Sequence, residues 1–146
     1  MTAVETQAQT DITGRTRYIG IKTPVQFSDG DGLFAMHTDV VKNIKDNFNN
    51  LLLTNHGERL GLFDFGANIR PLLFDLGKAD FDAIAISRIN KAISKYMPFI
   101  EPLTFETFEE GLNEQDLATV GVRITYNIPS LNVNNQGIEI ILQAGG

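Results

Sequence analysis

The 146-residue sequence contains no cysteine, and its Lys and Arg residues are scattered rather than clustered. The absence of cysteine excludes a disulfide framework, a cysteine-ligated zinc site and a cysteine nucleophile. No apolar run approaches the roughly 18 residues that a membrane helix needs. The polar start, with Glu5 and Asp11 before any basic residue, is unlike a secretory signal. We therefore expect a soluble protein made inside a cell. Its net charge of −6 argues against nucleic-acid binding, which requires clustered cations.

Motifs of common enzymes and metal sites are also missing. There is no G-x-G-x-x-G, no P-loop and no G-x-S-x-G. His37 and His56 are the only histidines, and they belong to different predicted elements, so no triad or His-based metal site is indicated. Asp29 starts a stretch similar to a calcium loop, but Val40 stands where an EF-hand requires Glu. The sequence therefore predicts no catalytic residue, no cofactor and no metal.

Paired carboxylates leave a glycosidase open as an alternative. Glycoside hydrolysis needs two carboxyls about 5–10 Å apart, one of them with a raised pKa. The available acids near irregular backbone are Glu58, Asp64, Asp75 and Glu101. Arg59 adjoins Glu58, and a neighbouring cation lowers a carboxyl pKa, which is the wrong direction for a general acid. We therefore expect a protein that is not an enzyme.

Apolar residues recur at the spacing of an amphipathic helix in two stretches. The first helix begins near Thr38 or Asp39, either of which can cap it, and stops near Gly57 in a left-handed cap position. The second covers residues 80–96 and ends before Pro98. A short helical turn is expected over residues 71–76. The predicted buried faces are Val40 or Val41, Ile44, Phe48, Leu51 and Leu52 in the first helix, and Phe81, Ile84 or Ala85, Ile89, Ala92 or Ile93, and Tyr96 in the second.

Strands are predicted over residues 17–22, 100–109, 118–127 and 138–143, with a loop over 129–137. Val120, Val122, Ile124 and Tyr126 alternate most cleanly. The fold class is α+β, with two helices packed on a small, mostly antiparallel sheet in the order β-α-α-β-β-β. We interpret residues 1–16 as a flexible N-terminal arm and residues 17–146 as a single domain.

The last predicted strand is weakly protected against pairing with another chain. Ile138, Ile140 and Leu142 align on one face, and Glu139 is the only charge in the strand. Open edges normally need charge, proline or bulges. One interpretation is an internal or covered strand. The other is strand exchange with a neighbouring subunit, in which main-chain pairing supplies the affinity.

The middle of the chain carries a family resemblance. Leu51-Leu52-Leu53-Thr54, Gly57-Glu58-Arg59, Phe65-Gly66 and Leu72-Leu73-Phe74 occur in that order. This series resembles the baseplate wedge family of T-even-type phages, a lysozyme-like baseplate family that includes the matching subunit of type VI secretion systems. The resemblance covers roughly residues 17–143. One departure is clear, because relatives commonly carry Tyr-Glu-Pro-Arg where this chain has Tyr96-Met97-Pro98-Phe99.

The resemblance implies a structural subunit of the inner ring of a contractile phage tail baseplate. Such a sheath initiator has a fold similar to the interlocking domain of the sheath protein, and the first sheath ring polymerises on it. The implied partners are larger wedge proteins and the tail sheath protein, with tube-proximal baseplate proteins as a further candidate, and several copies stand in a sixfold baseplate. The implied location is the virion, after assembly in the host bacterial cytoplasm. A type VI secretion or extracellular injection machine is the alternative setting.

The motif residues are also the interface candidates: Gly57, Glu58, Arg59, Phe65, Gly66, Tyr96, Met97, Pro98 and Phe99. Gly57 can take the positive φ that turns the chain out of the helix. Arg59 is expected to stiffen the irregular loop through its donors, with a solvated Glu58–Arg59 pair as the alternative. Phe63, Phe65 and Phe74 are interpreted as core residues.

Overall fold

The computed structural model describes residues 18–29, 33–75, 80–110 and 119–143. In chain order the elements are β1 (Gly20–Ile21), β2 (Met36–His37), α1 (Val40–Leu53), a 3₁₀ helix (Arg70–Asp75), α2 (Phe81–Tyr96), β3 (Glu101–Glu110), β4 (Thr119–Ile128), a second 3₁₀ helix (Pro129–Leu131) and β5 (Val133–Gln143). The α+β class is confirmed. The chain divides into two compact units, Met1–Phe48 and Asn49–Gly146, and the division falls within α1. The predicted arm, residues 1–16, lies outside the described residues, so the predicted domain division stays a prediction.

The first unit contains a two-stranded antiparallel sheet in which Gly20 of β1 lies opposite His37 of β2. The observed β1 is shorter than the predicted strand, and β2 is too short to show any periodicity in the sequence. The Asp46 carboxylate of α1 accepts a hydrogen bond from the Thr23 backbone N–H at 2.8 Å and a second from the Thr23 hydroxyl. His37 Nε2 lies 3.0 Å from the same carboxylate. Asp46 therefore fastens α1 to the segment that follows β1. Part of the Asp29–Gly32 turn lies outside the described residues.

Helix α1 starts as the sequence predicts. The Asp39 carboxylate accepts a hydrogen bond from the Val41 N–H at 2.9 Å, the geometry of a helix N-cap. Phe48, Leu51 and Leu52 of the predicted apolar face are buried. The predicted stop at Gly57 is wrong in detail, because α1 ends at Leu53. Gly57 does have a positive φ of 86°, but it shapes the loop beyond the helix.

The second unit contains a three-stranded antiparallel sheet in the order β3-β4-β5. The predicted alternation is confirmed on its inner face, where one row of β4 and one row of β5 are buried: Val120, Val122, Ile124 and Tyr126 of β4, and Ile138, Ile140 and Leu142 of β5. At the start of β4, Thr119 and Gly121 of the opposite face are buried as well. β5 begins at Val133, inside the predicted loop. The chain reverses in the 3₁₀ helix and at Asn132, which has a φ of 53°, so only a short turn separates β4 from β5.

Strand β3 departs from the predicted alternation at its start. A register shift between Pro102 and Thr104 interrupts the pairing with β4, and Leu103 is 45% exposed. Further along, Phe108 lies opposite Gly121, and a Cβ atom at Gly121 would lie 2.1 Å from the Phe108 ring. The ring therefore occupies the space that a side chain at residue 121 would need.

Helix α2 buries the predicted face through Ala85, Ile89, Ala92 and Ile93. It ends at Tyr96, and the Met97 N–H closes the last turn on the Ile93 carbonyl at 2.9 Å. The Thr107 hydroxyl donates to the Asp82 carboxylate at 2.8 Å, which ties α2 to β3. None of the helices in the described ranges is long and apolar enough to cross a membrane.

Candidate functional site

The segment after α1 folds back against the end of that helix. The Ala67 N–H donates to the Leu51 carbonyl at 3.0 Å, and the Asn68 N–H donates to the Thr54 carbonyl at 3.3 Å. Gly66 makes this approach possible, since its φ is 108° and a Cβ atom there would lie 2.1 Å from the Thr54 carbonyl oxygen. In the Phe65-Gly66 motif, the glycine therefore allows the backbone to pack closely against Thr54.

The Gly57-Glu58-Arg59 turn is held by contacts that the sequence did not predict. The Gly57 N–H donates to the Phe63 carbonyl at 2.8 Å, which closes a loop over residues 57–63. The Glu58 carboxylate accepts hydrogen bonds at 2.9 Å from the backbone N–H and from the side-chain amide of Asn55. These bonds, the backbone one first, lower the pKa of Glu58 because they stabilise the charged form.

Arg59 does not pair with Glu58 but stacks on an aromatic ring. Its guanidinium carbon lies 4.3 Å from the centroid of Phe65, within cation–π range. Phe65 in turn meets Tyr96 edge to face, with ring centroids 4.8 Å apart at 67°. The Tyr96 hydroxyl donates to the Asp64 carboxylate at 2.7 Å, and Lys95 forms an ion pair with the same carboxylate.

We call Arg59, Phe65, Tyr96 and Asp64 the aromatic cluster. The cluster brings together residues from two parts of the family-like motif, the loop after α1 and the end of α2, which are distant in sequence. Arg59 contacts the loop by stacking on the Phe65 ring rather than through the predicted hydrogen bonds to carbonyls, and its stiffening of the loop stays a prediction. Asp64 was considered only as a possible catalytic acid. Its structural role depends on the relative position of α2, which no local pattern reveals.

The remaining motif residues lie in different environments. Met97 is buried, whereas Phe99 is 41% exposed and Pro98 is also exposed. The core interpretation of Phe63 is wrong, because its side chain is 76% exposed on the closed loop. Phe65 is half-buried, and the Phe74 side chain lies outside the described residues. Contact of these residues with a partner stays a prediction.

Both histidines have local partners within their own unit. His37 pairs with Asp46, and His56 Nε2 lies 3.2 Å from the Gly66 carbonyl oxygen. Among the described residues, no three His, Cys, Asp or Glu side chains come together as a metal-binding group. His56 also borders a cleft between the 56–68 segment and α2, together with the Arg88, Lys91 and Lys95 side chains.

The strand-exchange candidates are on an edge strand. Ile138, Ile140 and Leu142 are buried and hold β5 to the core of the unit. On the opposite face of the same strand, Ile141 is 47% exposed, and Glu139 pairs with Arg123 of β4 at 2.9 Å. The apolar row is therefore occupied within the chain, and among the described strands none pairs with the outer edge of β5.

No family model and no curated protein matches the chain significantly. Solved structures that share its fold include the following two. One is a chain of the cryo-EM structure of the anti-feeding prophage baseplate, six-fold symmetrised, with a TM-score of 0.59 and 18% identity over 74% of this chain and 82% of that chain. The other is a provisionally assigned tail lysozyme from Geobacter sulfurreducens, with a TM-score of 0.52 and 18% identity over 75% of this chain and 94% of that chain. At this identity the likeness establishes the fold alone.

Proposed function

We propose that the chain is a structural subunit of the baseplate of a contractile tail or injection machine. The observation that carries the proposal is the fold shared with a chain of a six-fold symmetrised baseplate, over 74% of the present chain. The aromatic cluster supports it, because residues of the family-like motif far apart in sequence, Arg59 and Phe65 in one segment and Tyr96 in another, pack together. The finer assignment, also a proposal, is an inner-ring wedge subunit in the virion, assembled in the bacterial cytoplasm and present in several copies.

The proposed subunit initiates the sheath through the edge of β5. In the described part of the chain the sheet is ordered β3-β4-β5, and the outer edges of β3 and β5 pair with no further described strand, so their main-chain groups can pair with an added one. The exposed face of β5 carries the apolar Ile141, and its Glu139 pairs with Arg123, which also lies 3.6 Å from the Glu106 carboxylate of β3. Addition of a strand from a sheath subunit would use main-chain bonds for affinity. Larger wedge proteins would bind elsewhere on the subunit.

We also propose that the subunit is not an enzyme. A glycosidase is the alternative, in view of the tail-lysozyme description of one structural neighbour. A general acid needs a raised pKa, whereas hydrogen bonds with Asn55 lower the pKa of Glu58. Asp64 is engaged by Tyr96 and Lys95. We expect no clearing of peptidoglycan by the purified protein; clearing that is lost in Glu58→Gln or Asp64→Asn would establish the alternative.

The test of the baseplate proposal is affinity purification of the tagged protein from producing cells, with mass spectrometry of the proteins that accompany it. We expect larger wedge proteins and the sheath protein. A monomer without these partners in cells that assemble tails would contradict the proposal. The genes around its own would separate a phage tail from a type VI secretion or extracellular injection machine.

A matched pair of substitutions tests the role of β5 in sheath initiation. Deleting the strand is unsuitable, because Ile138, Ile140 and Leu142 are part of the core. Ile141→Lys instead places a charge on the exposed face of β5, and Leu103→Lys does the same on the opposite edge strand, where Leu103 is 45% exposed. We expect electron microscopy to find baseplates without sheath only for Ile141→Lys. Normal sheath with Ile141→Lys would contradict the proposed edge.

A further inference from the structure

A cleft of about 320 Å³ lies between the 56–68 segment and α2. The Ala67 and Ala92 side chains and the backbone at Gly66 form apolar parts of its wall, and Tyr96 lies at the C-terminal end of the α2 side. The polar side chains that line it are His56, Asp64, Asn68, Arg88, Lys91 and Lys95. The cleft is large enough for one or two side chains of a partner but too small for a folded element.

The cations of the cleft come from one face of α2. Arg88, Lys91 and Lys95 are three and then four residues apart, which aligns them along the helix over about 10 Å. Among the described lining residues Asp64 is the only carboxylate, and it pairs with Lys95. Three cationic side chains, Arg88, Lys91 and Lys95, therefore face one carboxylate in the described lining. The excess of positive charge is opposite in sign to the net charge of the chain, which is −6.

Two of these cations have no anionic partner among the described residues. Arg88 donates to the Asn68 carbonyl oxygen at 2.5 Å, which orients the guanidinium without neutralising it. Lys91 is exposed, and within the described part of the chain no carboxylate lies within ion-pair distance of Lys91 or Arg88. A carboxylate that enters the cleft would therefore meet positive charge that no residue of the described ranges already satisfies.

We propose that this cleft binds a glutamate or aspartate side chain of an acidic segment in a partner protein. The carboxylate would lie between Arg88 and Lys91, and its aliphatic stem against Ala92. A nucleic acid fits poorly, because a run of phosphates needs a longer basic track and the acidic chain as a whole repels a polyanion. The inference goes beyond the baseplate proposal, since binding of a carboxylate in the cleft can be measured on the isolated protein, without an assembled baseplate.

The experiment uses the purified full chain and two blocked peptides that differ only in having two glutamates or two glutamines. Backbone amide NMR shifts follow the titration at low salt. We expect the glutamate peptide to shift the amides of residues 88–95 with millimolar affinity, and the glutamine peptide to leave them unchanged. Lys91→Gln should weaken binding about fivefold, the range of one partly exposed ion pair. Lys45→Gln, the matched loss of an exposed helical lysine outside the cleft, should bind within twofold of the wild type.

Lys91 is exposed and its side chain makes no hydrogen bond or ion pair with the described residues, so Lys91→Gln should fold normally. Equal affinity for the two peptides would overturn the proposal, as would equal affinity of Lys91→Gln and Lys45→Gln for the glutamate peptide. Displacement of the glutamate peptide by an equal concentration of inorganic phosphate would identify a small-anion site and would also overturn it. Tighter binding of a single-stranded oligonucleotide than of the glutamate peptide would do the same.

Discussion

Replacing Gly66 with alanine tests the backbone contact on which the candidate site is built. The φ of 108° is a conformation that a residue with a Cβ atom rarely adopts, and such backbone strain costs about 1–3 kcal/mol. The new Cβ atom would also lie 2.1 Å from the Thr54 carbonyl oxygen. Relieving that overlap by moving backbone costs about 1–3 kcal/mol more. We therefore expect Gly66→Ala to lower the free energy of unfolding by about 2–6 kcal/mol.

Gly61→Ala is the matched control. Gly61 has a φ of 80°, but no atom lies within 4 Å of the position that its Cβ would take. Gly61→Ala therefore introduces the backbone strain without an atomic overlap, and it should lower the free energy of unfolding by about 1–3 kcal/mol. The difference between the two variants isolates the close approach of the 66–68 segment to the end of α1.

The measurement is urea denaturation followed by circular dichroism, with the m-value compared between variants to check that the same surface unfolds. In a thermal scan, Gly66→Ala should melt roughly 5–15 °C below the wild type. A Gly66→Ala variant no less stable than Gly61→Ala would show that the segment does not lie against Thr54. The conclusion that Gly66 is needed for close packing against Thr54 would then be refuted.

Three further predictions concern single side chains. Tyr96→Phe keeps the ring contact with Phe65 but loses the hydrogen bond to Asp64, so it should cost about 0.5–1.5 kcal/mol in urea denaturation; unchanged stability would contradict it. Burial acts to raise the pKa of Asp46, but its hydrogen bonds outweigh burial and lower it below 3.8. The free energy of unfolding of the wild type should therefore exceed that of Asp46→Asn by a constant amount above that pH, and the difference should shrink as the pH falls through the lowered pKa. A difference that does not change with pH would refute this. Burial raises the pKa of Tyr126 to about 12, so stability should be full below about pH 10 and fall as the pH rises towards 12. Tyr126→Phe should flatten that decline, and an equally steep decline in the variant would exclude Tyr126 as its cause.

The aromatic cluster contains the part of the Tyr-Glu-Pro-Arg pattern that the chain retains. Tyr96, which the chain retains, makes the contacts with Phe65 and Asp64. Met97, which replaces an acidic residue of that pattern, is buried, and Phe99, which replaces a basic one, is 41% exposed. The departure thus concerns one buried and one exposed residue beyond the cluster rather than the cluster itself.

The sequence by itself determined the elements whose signal is a local period. The apolar spacing of α2 and the alternation of Val120, Val122 and Ile124 in β4 place those elements within one or two residues of their observed ends. Asp39 capped α1 as predicted, because a cap depends only on the residues beside it. Periodicity and capping are properties of neighbouring residues, so they can be recognised without the fold.

Only the tertiary structure decided the contacts between distant residues. The two-residue β2 exists because its partner β1 lies beside it, and it is too short for a period. Gly57, predicted to cap a helix, bonds instead to the Phe63 carbonyl, which leaves the Phe63 ring exposed. Arg59 stacks on the Phe65 ring, and α2 brings Tyr96 edge to face against the same ring. The position of one element against another depends on packing throughout the unit, and no short stretch of sequence encodes it.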